Sequence, residues 1–398
     1  MSSHYDELET RSADAREAEQ LALLQAQVRR VQEGMGSCFP QGAVNSVTDL
    51  AQFPVLRKST LSEWQKAQPP FGGVIMGEYQ QVFQSPGPIY EPGGVGHDWW
   101  RFARFLHTCG IGSGDVVQNC FGYHLTPAGH MFENGARAVG AKVLPAGTGQ
   151  TELQVRAAKD VGATAYAGTP DYLNVILEKA EEMGVTLGIT KAAVGGGALF
   201  PSLRQAYADR GIACLQCYAT ADLGNVAYES PAMEGMIVDE GVIVEIVTPG
   251  TGDPVAEGEV GEVIVTALNP DYPLIRFATG DLSAVLPGES PCGRTNMRIK
   301  GWMGRADQTT KIKGMFVRPE QVAELVARHD EVARARVIAR RDGEMDVMLV
   351  QLECEGSDGA KFEKTVLDVL KLRGKVELCA PGSLPRDGKV IDDQRSYD

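Results

Sequence analysis

Residues 272–320 read YPLIRFATGDLSAVLPGESPCGRTNMRIKGWMGRADQTTKIKGMFVRPE, and three short motifs follow one another in this stretch. They are TGD at 279–281, GRAD at 304–307 and KIKG at 311–314. Taken alone, TGD is typical of a turn whose aspartate caps the next segment. GRAD followed by KIKG is likewise consistent with a basic hairpin at a domain boundary. The three motifs together, in this order, are hard to attribute to chance.

The stretch resembles the adenylate-forming superfamily of acyl-CoA synthetases and, within it, the phenylacetate-CoA ligase family. YPLIRFATGD is similar to that family's YPLIRYRTGD, and SPCGR at 290–294 is similar to its CPCGR. The similarity runs from DLAQFPVLRKSTL at 49–61 to PGSLPRDGK at 381–389, so it covers most of the chain.

The pattern of the chain outside this stretch predicts an α/β fold. From about residue 97 to 270, helix-like stretches such as TELQVRAAKDVG alternate with short apolar runs such as ATAYAG. This alternation predicts a large N-terminal domain, residues 1–304, with mostly parallel sheets covered by helices. After residue 305 a hairpin pattern and two helix patterns predict a small α+β C-terminal domain, residues 305–398, which the resemblance implies is mobile.

Composition excludes several classes of partner. The net charge of −14 offers no basic footprint for nucleic acid, and no apolar run approaches the length of a membrane span. The acidic N-terminus is unlike a signal or transit peptide, so we expect a cytoplasmic protein. Residues 12–33 have helical spacing with one largely apolar side, which predicts either packing on the helix's own domain or a contact in a homodimer.

The resemblance implies a role for each motif residue around the nucleotide. Asp281 would accept hydrogen bonds from the ribose hydroxyls, which are donors. Arg305 would reach the ribose or the α-phosphate with its guanidinium fork. Asp307 matches the hinge about which the small domain turns between two half-reactions, and Gly304 and Gly314 flank it.

PGSLPRDGKVI near the C-terminus is similar to the family's PxTxxGK pattern. The resemblance makes Lys389 the adenylation lysine, which would contact both the substrate carboxylate and the α-phosphate. A positive charge is needed there because negative charge gathers in the transition state of phosphoryl-type transfer. Without the resemblance, Lys389 would be interpreted as a solvated lysine of the tail.

The segment LQCYATADLG at 215–224 lies where relatives have a YGxTE-type stretch. Tyr218 would then stack on adenine, and Asp222 replaces the glutamate that helps to hold Mg²⁺. GGGA at 195–198 is similar to the family's adenine loop, where Gly195 and Gly196 would allow close approach of the backbone.

FGYHLTPAGH at 121–130 corresponds to the family's stretch that lines the acyl pocket. Phe121, Tyr123 and, from another strand, Tyr166 would frame a flat aromatic acid. His124 and His130 are predicted to be core or pocket-wall residues, because a carboxylate is already ionised and its adenylation needs no general base.

QSPGPIYEPGGVG at 84–96 corresponds in position to the family's phosphate loop, so Ser85 and Gly87 are candidate phosphate contacts. Its prolines have no amide hydrogen to donate, and Glu91 replaces the lysine. At about 5 Å and an effective dielectric near 20, a carboxylate facing one phosphate charge costs on the order of 3 kcal/mol. The loop is therefore predicted to bind the β- and γ-phosphates poorly, and a lysine at position 91 to improve ATP affinity if its side chain faces them.

The cysteines predict no metal or disulfide framework. Cys214 and Cys217 form a CxxC, but the apolar run around them predicts a strand, in which side chains three apart face opposite sides. Some relatives hold a structural zinc near the CPC pair. Here Cys292 is the only thiol in the corresponding stretches, which predicts no zinc site.

The resemblance to phenylacetate-CoA ligases implies the function of an ATP-dependent acid–CoA ligase. ATP, an aromatic or arylacetic acid and coenzyme A would give acyl-CoA, AMP and pyrophosphate, with Mg²⁺ as the metal. Two alternatives stay open at this point. One is a non-catalytic or regulatory AMP/acyl-CoA-binding homologue that has lost ATP use, and the other is an acyl-transfer enzyme that uses a preformed adenylate.

Overall fold

A computed structural model of the chain describes residues 3–35, 39–306, 308–313, 315–342, 345–356 and 358–395. The chain forms two compact units. The first comprises Met1–Val244, Val265–Phe277 and Leu286–Gly301, and the second comprises Glu245–Ile264, Ala278–Val285 and Trp302–Asp398. The second unit thus contains two segments that precede Arg305, and the predicted division into 1–304 and 305–398 stays a prediction.

The helices of the first unit are α1 (Ala13–Met35), α2 (Lys58–Ala67), α3 (Ala103–Thr108), α4 (Ala128–Ala138), α5 (Thr151–Val161), α6 (Pro170–Glu182) and α7 (Pro201–Asp209). Those of the second are α8 (Pro319–Ala327) and α9 (Ala360–Leu370). Short 3-10 helices span Glu7–Thr10 and Val47–Gln52. No helix in the described ranges combines the length and the apolar character needed to cross a bilayer.

The strands, in chain order, are β1 (Gln81–Ser85), β2 (Ile89–Gly93), β3 (Val116–Asn119), β4 (Lys142–Pro145), β5 (Ala165–Gly168), β6 (Lys191–Val194), β7 (Ala213–Thr220), β8 (Gly224–Glu229), β9 (Met236–Val238), β10 (Val242–Val247), β11 (Gly261–Ala267), β12 (Phe277–Ser283), β13 (Val285–Leu286), β14 (Arg298–Ile299), β15 (Thr310–Ile312), β16 (Met315–Val317), β17 (Arg334–Asp342), β18 (Met345–Glu353), β19 (Lys375–Cys379) and β20 (Ile391–Asp393). A nine-stranded sheet has the order β13-β14-β9-β8-β7-β6-β5-β3-β4, and β10-β11-β12 form a three-stranded sheet.

The predicted α/β class and the mostly parallel sheet are confirmed. The pairs from β4 through β3, β5 and β6 to β7 are parallel, and helices connect them along the chain. From β7 onward the pairs β7/β8, β8/β9 and β9/β14 are antiparallel. Only residues 221–223 separate β7 from β8, and a parallel pair needs a crossover of a dozen or more residues. The expectation of alternating strands and helices up to residue 270 therefore fails after β7.

Helix α1 packs its apolar side inside the first unit. Leu24, Val28 and Val31 are almost completely buried, in a core that also contains Phe53 and Ile275. Of the two predicted uses of this helix, packing on its own domain is confirmed, because these side chains are already covered.

The second unit includes a four-stranded sheet of order β19-β18-β17-β20 and the small hairpin β15-β16. Its long β17–β18 hairpin, α8 and α9 agree with the hairpin and the two helices predicted from the pattern. The sequence predicts the turn of this hairpin at Asp342-Gly343, a dipeptide typical of hairpin turns, and this turn lies partly outside the described residues. Phe362, Val366 and Leu370 of α9 pack with strand residues such as Val337 and Val350 to form the core of this unit.

Candidate functional site

The hairpin β1–β2 contains the candidate phosphate contacts. Ser85 pairs with Ile89, so Pro86, Gly87 and Pro88 form the turn, and Gly87 has φ +155°. Glu91 is 1% exposed, and the Ser85 hydroxyl donates a hydrogen bond to Glu91 Oε1. The Glu91 carboxylate therefore lies inside the first unit, which corrects the premise of a carboxylate that faces phosphate. A lysine at position 91 would be buried, so the predicted gain in ATP affinity no longer follows.

The environment of Glu91 favours its neutral form. Burial raises the pKa of Glu91 to about 7, and the negative charge of Asp222 adds to the rise. The hydrogen bond from Ser85 and the charge of Lys58 oppose it. Glu91 Oε2 has no hydrogen-bond partner within the described part of the chain. At neutral pH this carboxyl group is therefore about half protonated, which weakens any repulsion of a bound phosphate.

Asp222 lies in the turn between β7 and β8, and its side chain is 3% exposed. Lys58 Nζ is 3.0 Å from Asp222 Oδ2, whereas Asp222 Oδ1 is buried without a hydrogen-bond partner among the described residues. A buried carboxylate oxygen without a donor is suited to a cation. Magnesium keeps several waters and needs only one or two carboxylates, so this single oxygen fits the predicted role of Asp222.

The candidate adenine residues lie at the ends of neighbouring parallel strands. Tyr218 is near the end of β7, and Gly195 and Gly196 follow β6 directly. A Cβ added at Gly195 would lie 2.8 Å from Cys217 Sγ, and Gly196 has φ +69°. The close approach at Gly195 and the left-handed backbone at Gly196 explain why glycines occupy this loop. The structure thus brings this loop beside the strand segment that carries Tyr218.

Phe121 and Tyr123 follow β3 on the same edge of the sheet. The Phe121 ring stacks on Phe132 of α4, with ring centroids 4.3 Å apart. The Asn119 side chain, at the end of β3, donates a 2.8 Å hydrogen bond to the Tyr123 hydroxyl. The His130 ring lies 5.1 Å from that of Tyr123, which agrees with a wall residue rather than a free acid or base. Aromatic rings therefore cluster where the acyl pocket is expected.

Tyr166 is placed differently from the expectation. It is completely buried on β5, and its hydroxyl donates to the Thr169 carbonyl at 3.0 Å. Its neighbours Ala165 and Ala167 face the core that contains Phe121, so Tyr166 faces the opposite side of the sheet. This placement argues against Tyr166 as a wall of the same pocket. His124 is exposed and is not a core residue.

In the second unit, Asp281 and Arg305 form an ion pair. The backbone around β12 pairs with residues 303–306, and Arg305 Nη1 donates to Asp281 Oδ1 at 3.0 Å. Trp302 Nε1 donates to the same oxygen at 3.0 Å. The Asp281 side chain is 12% exposed and that of Arg305 is 58% exposed. TGD and GRAD therefore meet in space, which the sequence motifs alone do not establish.

The segment that carries Lys389 packs beside the strand of Asp281. A Cβ added at Gly388 would lie 3.2 Å from Leu282 Cδ2 and 2.8 Å from Val260 Cγ1. Gln308 fixes the same segment, because its Nε2 donates to the Gly388 carbonyl at 2.9 Å and its Oε1 accepts from the Val390 amide at 2.7 Å. Lys389 itself is half exposed, 3.4 Å from Asp392 Oδ1. The backbone next to Lys389 is therefore packed against the strand that contains Asp281, while the lysine side chain extends toward Asp392.

Two predicted hinge residues, Asp307 and Gly314, lie outside the described residues. Gly304, which precedes the GRAD arginine, has φ +123°, a conformation that favours glycine. The hinge stays a prediction.

The cysteine predictions concern buried strand residues and zinc. Cys214 and Cys217 are both on β7, and they pack in cores on opposite faces of the sheet, as predicted. Cys292 is partly buried beside Ser290. Within the described ranges, no group of three or more His, Cys, Asp or Glu side chains is arranged to hold a metal ion. The predicted lack of a zinc site stays a prediction.

Three residues that contact candidate residues or their segments were not identified from the sequence: Lys58 in the first unit, and Trp302 and Gln308 in the second. Trp302 and Gln308 border the GRAD motif, so their position beside it was a usable signal. Lys58 had no such signal, because it precedes Asp222 by more than 160 positions and meets it only in the folded chain.

The chain is similar in sequence to phenylacetate-coenzyme A ligases and in structure to 2-hydroxyisobutyryl-CoA ligase. It is 30% identical to a phenylacetate-coenzyme A ligase of Thermus thermophilus over 79% of this chain and 74% of that protein. It is 28% identical to a phenylacetate-coenzyme A ligase of Aromatoleum evansii over 95% of this chain and 93% of that one. Among solved structures, 2-hydroxyisobutyryl-CoA ligase in complex with 2-HIB-AMP and CoA is similar, with a TM-score of 0.70, 25% identity, and coverage of 95% of this chain and 91% of that chain. No family model matches the chain.

Proposed function

The chain belongs to the phenylacetate-CoA ligase family, and from this premise we propose how its residues catalyse the ligation of a carboxylic acid to coenzyme A with ATP. The relatives at 28–30% identity carry this activity in their names, and the similar solved structure holds an acyl adenylate and CoA. The enzyme forms an acyl adenylate first and a thioester second. The alternatives without ATP use or with a preformed adenylate are not favoured.

The two half-reactions place different demands on the chain. In the first, a carboxylate oxygen attacks the α-phosphorus of ATP, and the bond from that phosphorus to the pyrophosphate oxygen breaks. In the second, the CoA sulfur attacks the acyl carbon, the bond to the AMP oxygen breaks and the thiol proton is released. Both steps gather negative charge on oxygen, so positioned cations and donors are the main contribution that the protein can make.

The main observation that supports this function is the contact between the segment of Asp281 and the segment of Lys389 in the second unit. Asp281 would accept hydrogen bonds from the ribose hydroxyls, and Trp302 and Arg305 hold its carboxylate in place. Gly388 packs on Leu282, the residue after Asp281, and this contact of the two segments supports a role of the adjacent Lys389 near the nucleotide. We propose that Lys389 bonds to the α-phosphate and the attacking carboxylate in the first half-reaction.

Magnesium would be held by the unpartnered Oδ1 of Asp222. When bound, it would neutralise charge on the phosphate oxygens of ATP. Tyr218, Gly195 and Gly196 would bind the adenine at the ends of β7 and β6. Turning of the second unit about Asp307, between the two steps, remains our proposal from the resemblance.

The acid is proposed to be aromatic or arylacetic. The support is the group of rings after β3, where Phe121 and Tyr123 lie with Phe132 and His130 around them. A flat ring would pack against these side chains with dispersion and edge-to-face contacts. The location in the cytoplasm and the formation of a homodimer stay predictions.

The function is tested by ATP–pyrophosphate exchange with a panel of acids, which compares aryl, arylacetic and short aliphatic carboxylates. Exchange that depends on an aryl acid, followed by CoA thioester formation, is the expected result. Thioester formation only from a supplied acyl adenylate would instead favour the acyl-transfer alternative. Absence of both reactions, with AMP still bound, would favour the regulatory alternative.

We expect Asp281→Ala to weaken AMP binding by about 1.5–3 kcal/mol, or roughly 10- to 150-fold, because it removes a charged acceptor from the ribose hydroxyls. Isothermal titration with AMP measures this change. Glu257→Ala, which removes an exposed carboxylate of the same unit, is the matched control and should leave the affinity unchanged. Equal AMP affinity in the wild type and Asp281→Ala would place the nucleotide elsewhere.

A further inference from the structure

The hairpin β1–β2 and its flanks, residues 84–96, contain no lysine, arginine or histidine. An enzyme that uses ATP must nevertheless balance the negative charge of the β- and γ-phosphates. Glu91, the charged residue of this segment, is buried, so a small movement of the hairpin would not bring a positive charge to the phosphates. Any side chain that adds positive charge to that of magnesium at these phosphates must therefore come from another element.

Helix α2 is fixed to this hairpin by a pair of hydrogen bonds. Gln65, 4% exposed, donates from Nε2 to the Tyr90 carbonyl at 2.7 Å, and its Oε1 accepts from the Tyr90 amide at 2.8 Å. The start of the helix is fixed separately, because the Leu56 amide donates to the Arg276 carbonyl at 2.9 Å. Both ends of α2 are thus held in place beside the hairpin.

These contacts set Lys58, the first residue of α2, beside the carboxylate proposed to hold magnesium. Lys58 Nζ is 3.0 Å from Asp222 Oδ2, and its side chain is 43% exposed. An ammonium has three N–H donors, and the bond to Asp222 uses one of them. Two donors can therefore reach phosphate oxygens from the exposed side.

Two further observations point to a charged ligand here. Asp222 is 8% exposed and Glu91 is 1% exposed. Asp222 Oδ1 and Glu91 Oε2 are nevertheless without hydrogen-bond partners among the described residues. In addition, Lys58 is the first residue of α2, so the positive end of this helix adds to the potential beside it.

We propose that Lys58 binds the β- and γ-phosphates of MgATP and supplies the positive charge that the hairpin 85–92 does not carry. This inference rests on the proposed function, since it assigns a further residue to the same nucleotide site. It predicts a selective effect: Lys58 contributes to binding of ATP and to adenylation, but not to binding of AMP or to thioester formation.

The test compares Lys58→Met with wild type and with Lys66→Met, which removes the exposed lysine near the other end of the same helix. Isothermal titration of each protein with MgATP and with AMP, without any acid, is the first measurement. We expect Lys58→Met to bind MgATP about tenfold or more weakly, the scale of a lost charged hydrogen bond, while its AMP affinity stays within twofold. Lys66→Met should match wild type with both ligands.

The second measurement separates this proposal from the proposed function. In ATP–pyrophosphate exchange, the KM for MgATP of Lys58→Met should rise by the same factor, and thioester formation from a supplied acyl adenylate should be unchanged. Lys58→Arg should restore most of the exchange, because it keeps the charge. If the wild type showed no exchange, the proposed function would fail while the titrations still tested Lys58. Equal MgATP affinity in wild type and Lys58→Met, or an equal loss for MgATP and AMP, would overturn the proposal.

Discussion

Lys389→Ala is expected to slow acyl-adenylate formation by about 10²- to 10³-fold, the range for loss of one group that stabilises developing charge. The structure supports this expectation because Gly388 packs on Leu282, next to the candidate ribose residue Asp281. Gln308 holds the adjoining backbone, so the truncation removes the side chain beyond Cβ, including its ammonium, from a segment that stays in place. Formation of the thioester from a supplied acyl adenylate should remain nearly intact, since the α-phosphate bond has already been broken.

Single-turnover assays of the two half-reactions measure this difference. Lys375→Ala is a suitable control, because Lys375 is an exposed lysine of β19 in the same unit. It should leave both rates unchanged. A loss of equal size in both half-reactions of Lys389→Ala would assign this lysine a structural role instead of an adenylation role.

Glu91→Gln is expected to remove a pH dependence of stability from the protein. Because burial raises the pKa of Glu91 from 4.5 to about 7, the folded chain keeps a proton that the unfolded chain loses above pH 4.5. The stability of the wild type should therefore fall as the pH rises from about 4.5 to 7, and level off above 7. Over this window the titration of the carboxyl group lowers the free energy of unfolding by about 3 kcal/mol, whereas the glutamine does not titrate and has no such effect.

Denaturant unfolding of both proteins at several pH values between 5 and 8 measures the difference in their free energies of unfolding at each pH. Other groups with raised pKa values, such as the half-buried Asp98, are present in both proteins and cancel in the comparison. The stability of the variant relative to wild type should increase with pH. Parallel curves would mean that the Glu91 carboxyl group titrates normally, and that its burial beside Ser85 does not persist in solution.

Glu91 also shows the limit of reading this site from sequence. Its position in the segment that corresponds to the phosphate loop was predictable from the resemblance, and so was the loss of donors at the three prolines. Its inward orientation was not, because burial depends on the pairing of β1 with β2 and on the packing of α2 against them. A shift of one residue in the pairing of two strands turns each side chain to the opposite face, and the motif contains no information on that register.

The sequence by itself determined the class of fold, the family and the order of the nucleotide motifs. Local periodicity is sufficient for the helices and the parallel strands, since each depends on residues close together in the chain. Motifs such as TGD, GRAD and PRDGK identify a family because their residue types are set by the ligand.

Only the tertiary structure decided which of these groups contact one another and which charged side chains form ion pairs. It paired Asp281 with Arg305, packed Gly388, next to Lys389, against Leu282, and placed Lys58 3.0 Å from Asp222. It also put Tyr166 on the face of the sheet opposite the Phe121 core. These outcomes depend on contacts between residues distant in the chain and on the loss of water around them, and both exist only after the chain has folded.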